Sequence, residues 1–231
     1  FWRPLLRAKF GDAADRISAA WLWGRIYARA NSRSGTAEKL GYLRGGFIRL
    51  LEVMEEKIAA AGSTVLSSSE VKFVRKTPDG KWVVVTSEKN FSFDRVFLAV
   101  PSPVITELCP DLPVDERQMH ASIGYQAISC MAVEMKKPLS PIYWLNVGDS
   151  SIPYSGVIEQ TNFVPREDYG GNYVAYLFNY LAQGHPWLSE PKEELFNRYE
   201  VGLKRMFPEY RREDVIRTML FRDSFATPIY E

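Results

Sequence analysis

Residues 41–62 read GYLRGGFIRLLEVMEEKIAAAG, a glycine pair followed by apolar positions that recur three and four apart. Phe47, Leu51, Met54 and Ile58 form one stripe, Arg49, Glu52, Glu56 and Lys57 turn outward, and Gly62 stands where a left-handed residue stops a helix. The spacing predicts a helix over 46–61. Beyond Gly62 the period changes. Val65 is expected to begin a short strand, Val71 and Phe73 alternate with polar neighbours, and Pro78-Asp79-Gly80 makes a tight turn into the β-rich run Trp82 to Thr86. A second polar turn at 88–90 leads through Phe91 and Phe93 to Val96-Phe97-Leu98-Ala99-Val100. That unbroken apolar run is expected as a strand buried on both faces of a parallel sheet, with Pro101 and Pro103 ending it.

Residues 12–30 read as a helix capped by Asp12, with Ile17, Trp21, Gly24 and Ala28 on one face. From about 122 the pattern is mostly strands, over 127–135, 143–147, 156–163 and 173–180, separated by Pro, Gly, Asp and Asn. Ser189 is placed to cap a last helix with Pro191 in its first turn and Leu195, Tyr199, Leu203 and Met206 as its buried stripe, before a final strand over 215–225. The fold class that follows is α+β, a largely antiparallel or mixed sheet flanked by helices. There is no internal repeat and no low-complexity segment.

The 231 residues carry 29 Lys plus Arg against 28 Asp plus Glu, with 46% hydrophobic residues, which excludes disorder, collagen and coiled coil. No stretch approaches the roughly 18 uninterrupted apolar residues of a membrane-spanning helix, and no secretion signal opens the chain. Cys109 and Cys130 are the only thiols, too few for a disulfide scaffold, so a reducing, cytoplasmic setting is the default. Net charge of +1 argues against nucleic acid as a partner, yet the charge is uneven. Residues 1–50 hold ten cationic side chains against three acidic ones, a local charge of +7. Phe1, Trp2, Trp21, Trp23 and Tyr27 lie among them. Such a segment is either a solvated helix face with snorkelling arginines or a surface that attracts an anionic ligand or the periphery of an anionic membrane. The opening Phe and the absence of punctuation at either end lead us to expect an excised segment of a longer protein.

His120 and His185 are the only histidines, and neither has a Cys or carboxylate at metal-ligand spacing, so a structural or surface role is expected and no metal site. No GxSxG, GxxxxGK[ST] or GxGxxG motif occurs; Gly41-Tyr42-Leu43-Arg44-Gly45-Gly46 has the wrong spacing and no strand before it. Asn90-Phe91-Ser92 matches a glycosylation sequon by chance.

The order of glycine pair, amphipathic helix, Gly62, strand, Val71, hairpin and then Phe93 to Pro101 resembles the internal stretch of FAD-dependent amine oxidoreductases, the superfamily of monoamine oxidase, protoporphyrinogen oxidase and phytoene desaturase. The resemblance is strong over 41–103. Diffuser similarity to bacterial protoporphyrinogen-oxidase-like members continues through Val157 to Phe163, Tyr169-Gly170-Gly171, Tyr173 to Tyr180 and Phe225-Ala226-Thr227-Pro228. It implies that 41–105 is a partial, Rossmann-type FAD-domain segment of helix plus hairpin, and that 1–40 with 106–231 is a substrate-binding domain. It assigns cofactor contacts to Gly45, Gly46, Val71, Ala99 and Pro101, where glycines or backbone let a cofactor lie close. The family's GxGxxG and its C-terminal flavin motif are missing, so FAD is expected in the full-length parent and weakly or not at all on this chain, which is expected to be inactive alone. Aromatic alternation puts Tyr176, Phe178 and Tyr180 on one face as a candidate pocket for an apolar or planar small-molecule substrate; an aromatic core face is the competing reading, and no catalytic residue is assigned. Two other functions fit the same sequence, a part of a UDP-galactopyranose-mutase-like flavoenzyme, which would need an arginine cluster for a diphosphate, and a flavin-free ligand- or membrane-binding module.

Overall fold

A computed structural model describes residues 2–34, 37–38 and 40–231. In chain order the elements are α1 (Trp2–Phe10), α2 (Ala19–Asn31), β1 (Arg33–Ser34), β2 (Ala37–Glu38), α3 (Ile48–Ala60), β3 (Val71–Lys76), β4 (Trp82–Thr86), β5 (Asn90–Phe93), α4 (Ser102–Leu108), α5 (Val114–Ser122), β6 (Tyr125–Met135), β7 (Trp144–Asn146), β8 (Gly156–Glu159), β9 (Tyr173–Ala182), α6 (Lys192–Met206) and β10 (Val215–Pro228). The chain divides into two compact units, 1–41 with 125–231, and 42–124. The second therefore runs past the boundary expected at 105, because α4 packs against α5.

In the first unit, β10-β6-β9-β8-β7 form one antiparallel sheet. Period-2 alternation sends Met131, Val133, Met135, Ala175, Leu177 and Val157 to one face, where α6 covers them with Leu195, Phe196, Tyr199 and Leu203, all at most 2% exposed. The stripe read for α6 is thus the one it buries. Its cap differs: the chain enters the helix through Pro191, and Ser189 Oγ donates instead to the Pro186 carbonyl. Tyr154 lies edge-on to Tyr199 at 5.5 Å between centroids. Glu159 is wholly buried at the end of β8, and its carboxylate accepts the backbone N–H groups of Leu139 and Ser140, each at 2.8 Å. Burial raises this carboxyl above the ordinary range, and the two N–H bonds pull the other way. The strand expected to Phe163 stops here, in a 3-10 turn over Gln160–Asn162.

The helix expected over 12–30 is broken in two. Residues Gly11–Asp15, with Asp12 among them, form a 3-10 turn, and Ser18 caps α2 by accepting the Ala20 N–H at 3.2 Å. The additional helix α1 precedes the turn. Phe10, 1% exposed, anchors both helices by meeting Trp21 edge-on at 4.8 Å.

In the second unit, α3 ends as read: Gly62 has φ +75°, its N–H reaches the Ala59 carbonyl, and the Ser63 N–H reaches that of Ile58, the paired bonds of a Schellman stop. The β3–β4 hairpin turns through Pro78-Asp79-Gly80 with Gly80 at φ +85°, and β5 adds a third antiparallel strand. Two expectations fail. Residues 63–66 form no strand, and neither does 96–100, since no strand among the described residues pairs with either. Phe97 is 91% exposed, and Pro101 starts α4 rather than ending a sheet. The stripe of α3 is likewise open, so that helix stands on propensity, the Arg49–Glu52 pair and its cap rather than on burial.

Candidate functional site

The sheet face turned away from α6 carries a cavity of about 460 Å³, and a bulge in β10 decides its chemistry. Val215 opposes Met135 and packs toward α6, and strict alternation would send Arg217 the same way. The extra residue Ile216 shifts the register, so that Arg217 opposes Glu134, Met219 opposes Ala132 and Phe221 opposes Cys130. Arg217, Met219 and Phe221 consequently join the cavity, while Leu220 packs with the core under α6. Across β6 and β9, Glu134 faces Val174 and Ala132 faces Tyr176. Ala132 is the small residue between Met219 and Tyr176, and its short side chain leaves the floor hollow. Asp168, Tyr169, Gly170 and Asn172 supply the rim, carried on a 3-10 turn that ends with Gly170 and Gly171 at φ +66° and +83°.

One polar group is fixed at the end of this apolar floor. The Glu134 carboxylate accepts Arg217 Nε on one oxygen and Asn172 Nδ2, at 2.6 Å, on the other. The Arg217 guanidinium is the first cause holding the Glu134 carboxyl below its ordinary range, with Asn172 adding to it against the cost of burial. Arg217 is well exposed, so this pair orients side chains more than it stabilises the fold. Asn172 ties the rim to the sheet through the same carboxylate.

Of the three aromatic candidates, Tyr176 lines the cavity and the other two lie along the same face beyond it. Phe178 is 8% exposed, packed over Gly156 and 5.7 Å from the Trp144 ring. Tyr180 lies under the Lys9 ammonium, 4.0 Å from the ring centroid. Glu134, Arg217 and Met219 were not among the candidates. Glu134 had a signal, a single carboxylate inside the apolar run 127–135; Arg217 had none, because its facing depends on the bulge. Cys130, on this face, has its thiol pushed up to about 11 by burial, which disfavours the thiolate. His185 Nδ1 accepts the Trp187 N–H at 3.2 Å, a capping role. Among the described residues no group of His, Cys, Asp and Glu could hold a metal ion, and no helix is long and apolar enough to cross a membrane. A second hollow, of about 440 Å³, lies beside α2 between Ser18, Trp21, Gly24, Arg25 and Tyr230.

The five cofactor candidates all belong to the other compact unit. Gly45 and Gly46, at φ +82° and +83°, make the turn before α3; Val71 opens β3 opposite Thr86; Ala99 and Pro101 end the extended stretch before α4. A Cβ on Gly45 would meet nothing within 4 Å, and one on Gly46 only the Tyr42 hydroxyl at 4.0 Å. Gly45 and Ala99 are exposed and Gly46 is half-buried. Neither cavity takes a wall from any of the five. The five residues carry no cationic side chain of their own.

The sequence model of the "Flavin containing amine oxidoreductase" family matches residues 5–226. Among solved structures, the chain is similar to a putative protoporphyrinogen oxidase from Exiguobacterium sp. 255-15, at 17% identity and TM-score 0.76 over 99% of this chain and 51% of that one. It is also similar to reduced UDP-galactopyranose mutase, at 16% identity and TM-score 0.71 over 99% of this chain and 53% of that one. An oxidoreductase from Methanosarcina mazei follows at 19% identity and TM-score 0.62 over 78% of this chain and 43% of that one. The chain thus spans about half the length of the first and second of these structures, and likeness at such identities speaks to the fold alone.

Proposed function

From the premise that the chain belongs to the flavin containing amine oxidoreductase family, we propose that it is the substrate-binding portion of an FAD-dependent oxidoreductase, with the cavity on the outer sheet face as its substrate site. The observation that carries this reading is the pairing of an apolar floor, Ala132, Val174, Tyr176, Met219 and Phe221, with one oriented polar group, Glu134–Arg217. In this family the flavin supplies the redox chemistry. This chain's residues bind and orient a ligand with an apolar or planar body and keep water from its buried side. Among the described residues Arg217 is the one cation in the cavity wall, already paired to Glu134. That favours an apolar substrate over a sugar diphosphate, which calls for several arginines.

On this reading the isolated chain holds FAD weakly or not at all and does not turn over alone, because no GxGxxG diphosphate motif occurs in its sequence. Titration of the chain with FAD, followed by flavin absorbance and fluorescence, is expected to give no saturable change. Tight, stoichiometric binding would overturn the division of labour proposed here. In parallel, a planar apolar dye should bind the native chain and lose at least tenfold in affinity in Ala132→Phe, which fills the floor; equal binding by the variant would remove the cavity as the site.

A further inference from the structure

The cavity does not use the N-terminal helices, whose exposed surface has its own chemistry. No residue of α2 is buried. Trp21 holds it down on Phe10, and three-and-four spacing then turns Trp23, Ile26 and Tyr27 outward on the opposite side, with Ala19, Ala20 and Ala30 beside them. Trp23 is 64% exposed and Tyr27 56%, and their rings stack at 4.9 Å, so the two large side chains form one apolar block rather than separate solvated groups. Over residues 2–31, Arg3, Arg7, Lys9, Arg16, Arg25 and Arg29 stand against Asp12 and Asp15 in sequence; Arg16 is paired with Glu231 and Arg7 lies 4.0 Å from Asp15, so Arg3, Lys9, Arg25 and Arg29 carry the surplus charge. Arg29 flanks the block; Arg25 lies across the helix, 5.5 Å from the Trp21 ring centroid.

We infer that α2 docks this unit on an anionic lipid surface, with Trp23, Ile26 and Tyr27 entering the headgroup boundary and the surrounding cations drawing it there. Three observations select that occupant. Tryptophan and tyrosine are the side chains whose apolar bodies and polar tips suit the interface. A net positive segment is attracted to anionic headgroups from within a Debye length. A second copy of the chain is disfavoured by the same charge, since pairing α2 with itself brings two cationic segments together. The helix is too short and too weakly apolar to span, so the contact is peripheral.

The test is flotation with vesicles of phosphatidylcholine alone and of phosphatidylcholine containing phosphatidylserine, at low and high salt. The chain is expected to float with the anionic vesicles at low salt, at least tenfold better than with neutral ones, and to be released by high salt. Arg29→Gln should weaken binding roughly fivefold. Trp23→Ala combined with Tyr27→Ala should abolish the binding that survives moderate salt, with the far-UV circular dichroism of the native chain retained because both side chains are exposed. Equal flotation on neutral and anionic vesicles, or binding unchanged in the double variant, would overturn the assignment. So would a dimer in sedimentation that the double variant dissolves, since that would make a second copy the occupant.

Discussion

Leu195→Ala should destabilise the chain by about 3–5 kcal/mol, whereas Leu51→Ala should change its stability by less than about 0.5 kcal/mol. The chemistry removed is identical and both leucines sit on the apolar stripe of a helix. What differs is the surroundings. Leu195 is wholly buried in α6, against a sheet face whose Met131, Ala175 and Leu177 are also at 0% exposure, so its loss leaves a cavity that close-packed neighbours fill only in part. Leu51 is 59% exposed on α3, and alanine there even favours the helix slightly. Urea unfolding of the two variants, with the slope of free energy against denaturant checked for constancy, measures both numbers. A cost for Leu51→Ala near that for Leu195→Ala would show that the α3 stripe is covered in solution.

The contrast also marks what the amino-acid pattern can and cannot say. Helical spacing and the Gly62 stop identify α3, and the same spacing identifies α6, because both signals are local: side chains three and four apart share a face whatever lies opposite. Whether the face is buried depends on partners distant in sequence, and there the two helices part company. The run 96–100 fails for a related reason. Its apolarity suits a central strand, but a strand exists only where another pairs with it, and no described strand does. The first helix departs from its sequence pattern at a finer scale. Asp12 and Ser18 are both competent caps, and the choice falls on Ser18 because Phe10 is anchored and Gly11, at φ +55°, turns the chain. In the cavity, Tyr176 was accessible to simple alternation along β9. Arg217 was not, since one inserted residue in β10 reverses which side chains meet the cavity, and nothing in the local sequence announces it.

Gly156→Ala should cost about 1–3 kcal/mol and disturb the cavity face at the same time. A methyl at this position would stand 2.5 Å from Phe178 Cζ, 2.7 Å from Cε1 and 2.8 Å from the Leu145 carbonyl oxygen, all closer than carbon tolerates. The glycine is therefore there for room rather than for backbone freedom. It lies opposite Phe178 across β8 and β9 and lets the ring lie flat over the strand. The ring has one direction of escape, along the sheet face, between Trp144 at 5.7 Å and Tyr180 at 6.0 Å, toward the aromatic row that continues into Tyr176. Displacing it should alter Trp144 fluorescence and weaken binding of a planar dye in the cavity. A second substitution, Phe178→Leu, removes the carbons that clash and should recover much of the stability lost in Gly156→Ala; the remainder belongs to the Leu145 carbonyl, which is backbone and cannot swing aside. The double-mutant cycle should therefore show coupling of at least about 0.5 kcal/mol, well outside the additivity of independent sites. Additive costs in that cycle would mean that the ring does not rest on the glycine, and that the shape of this face is set elsewhere.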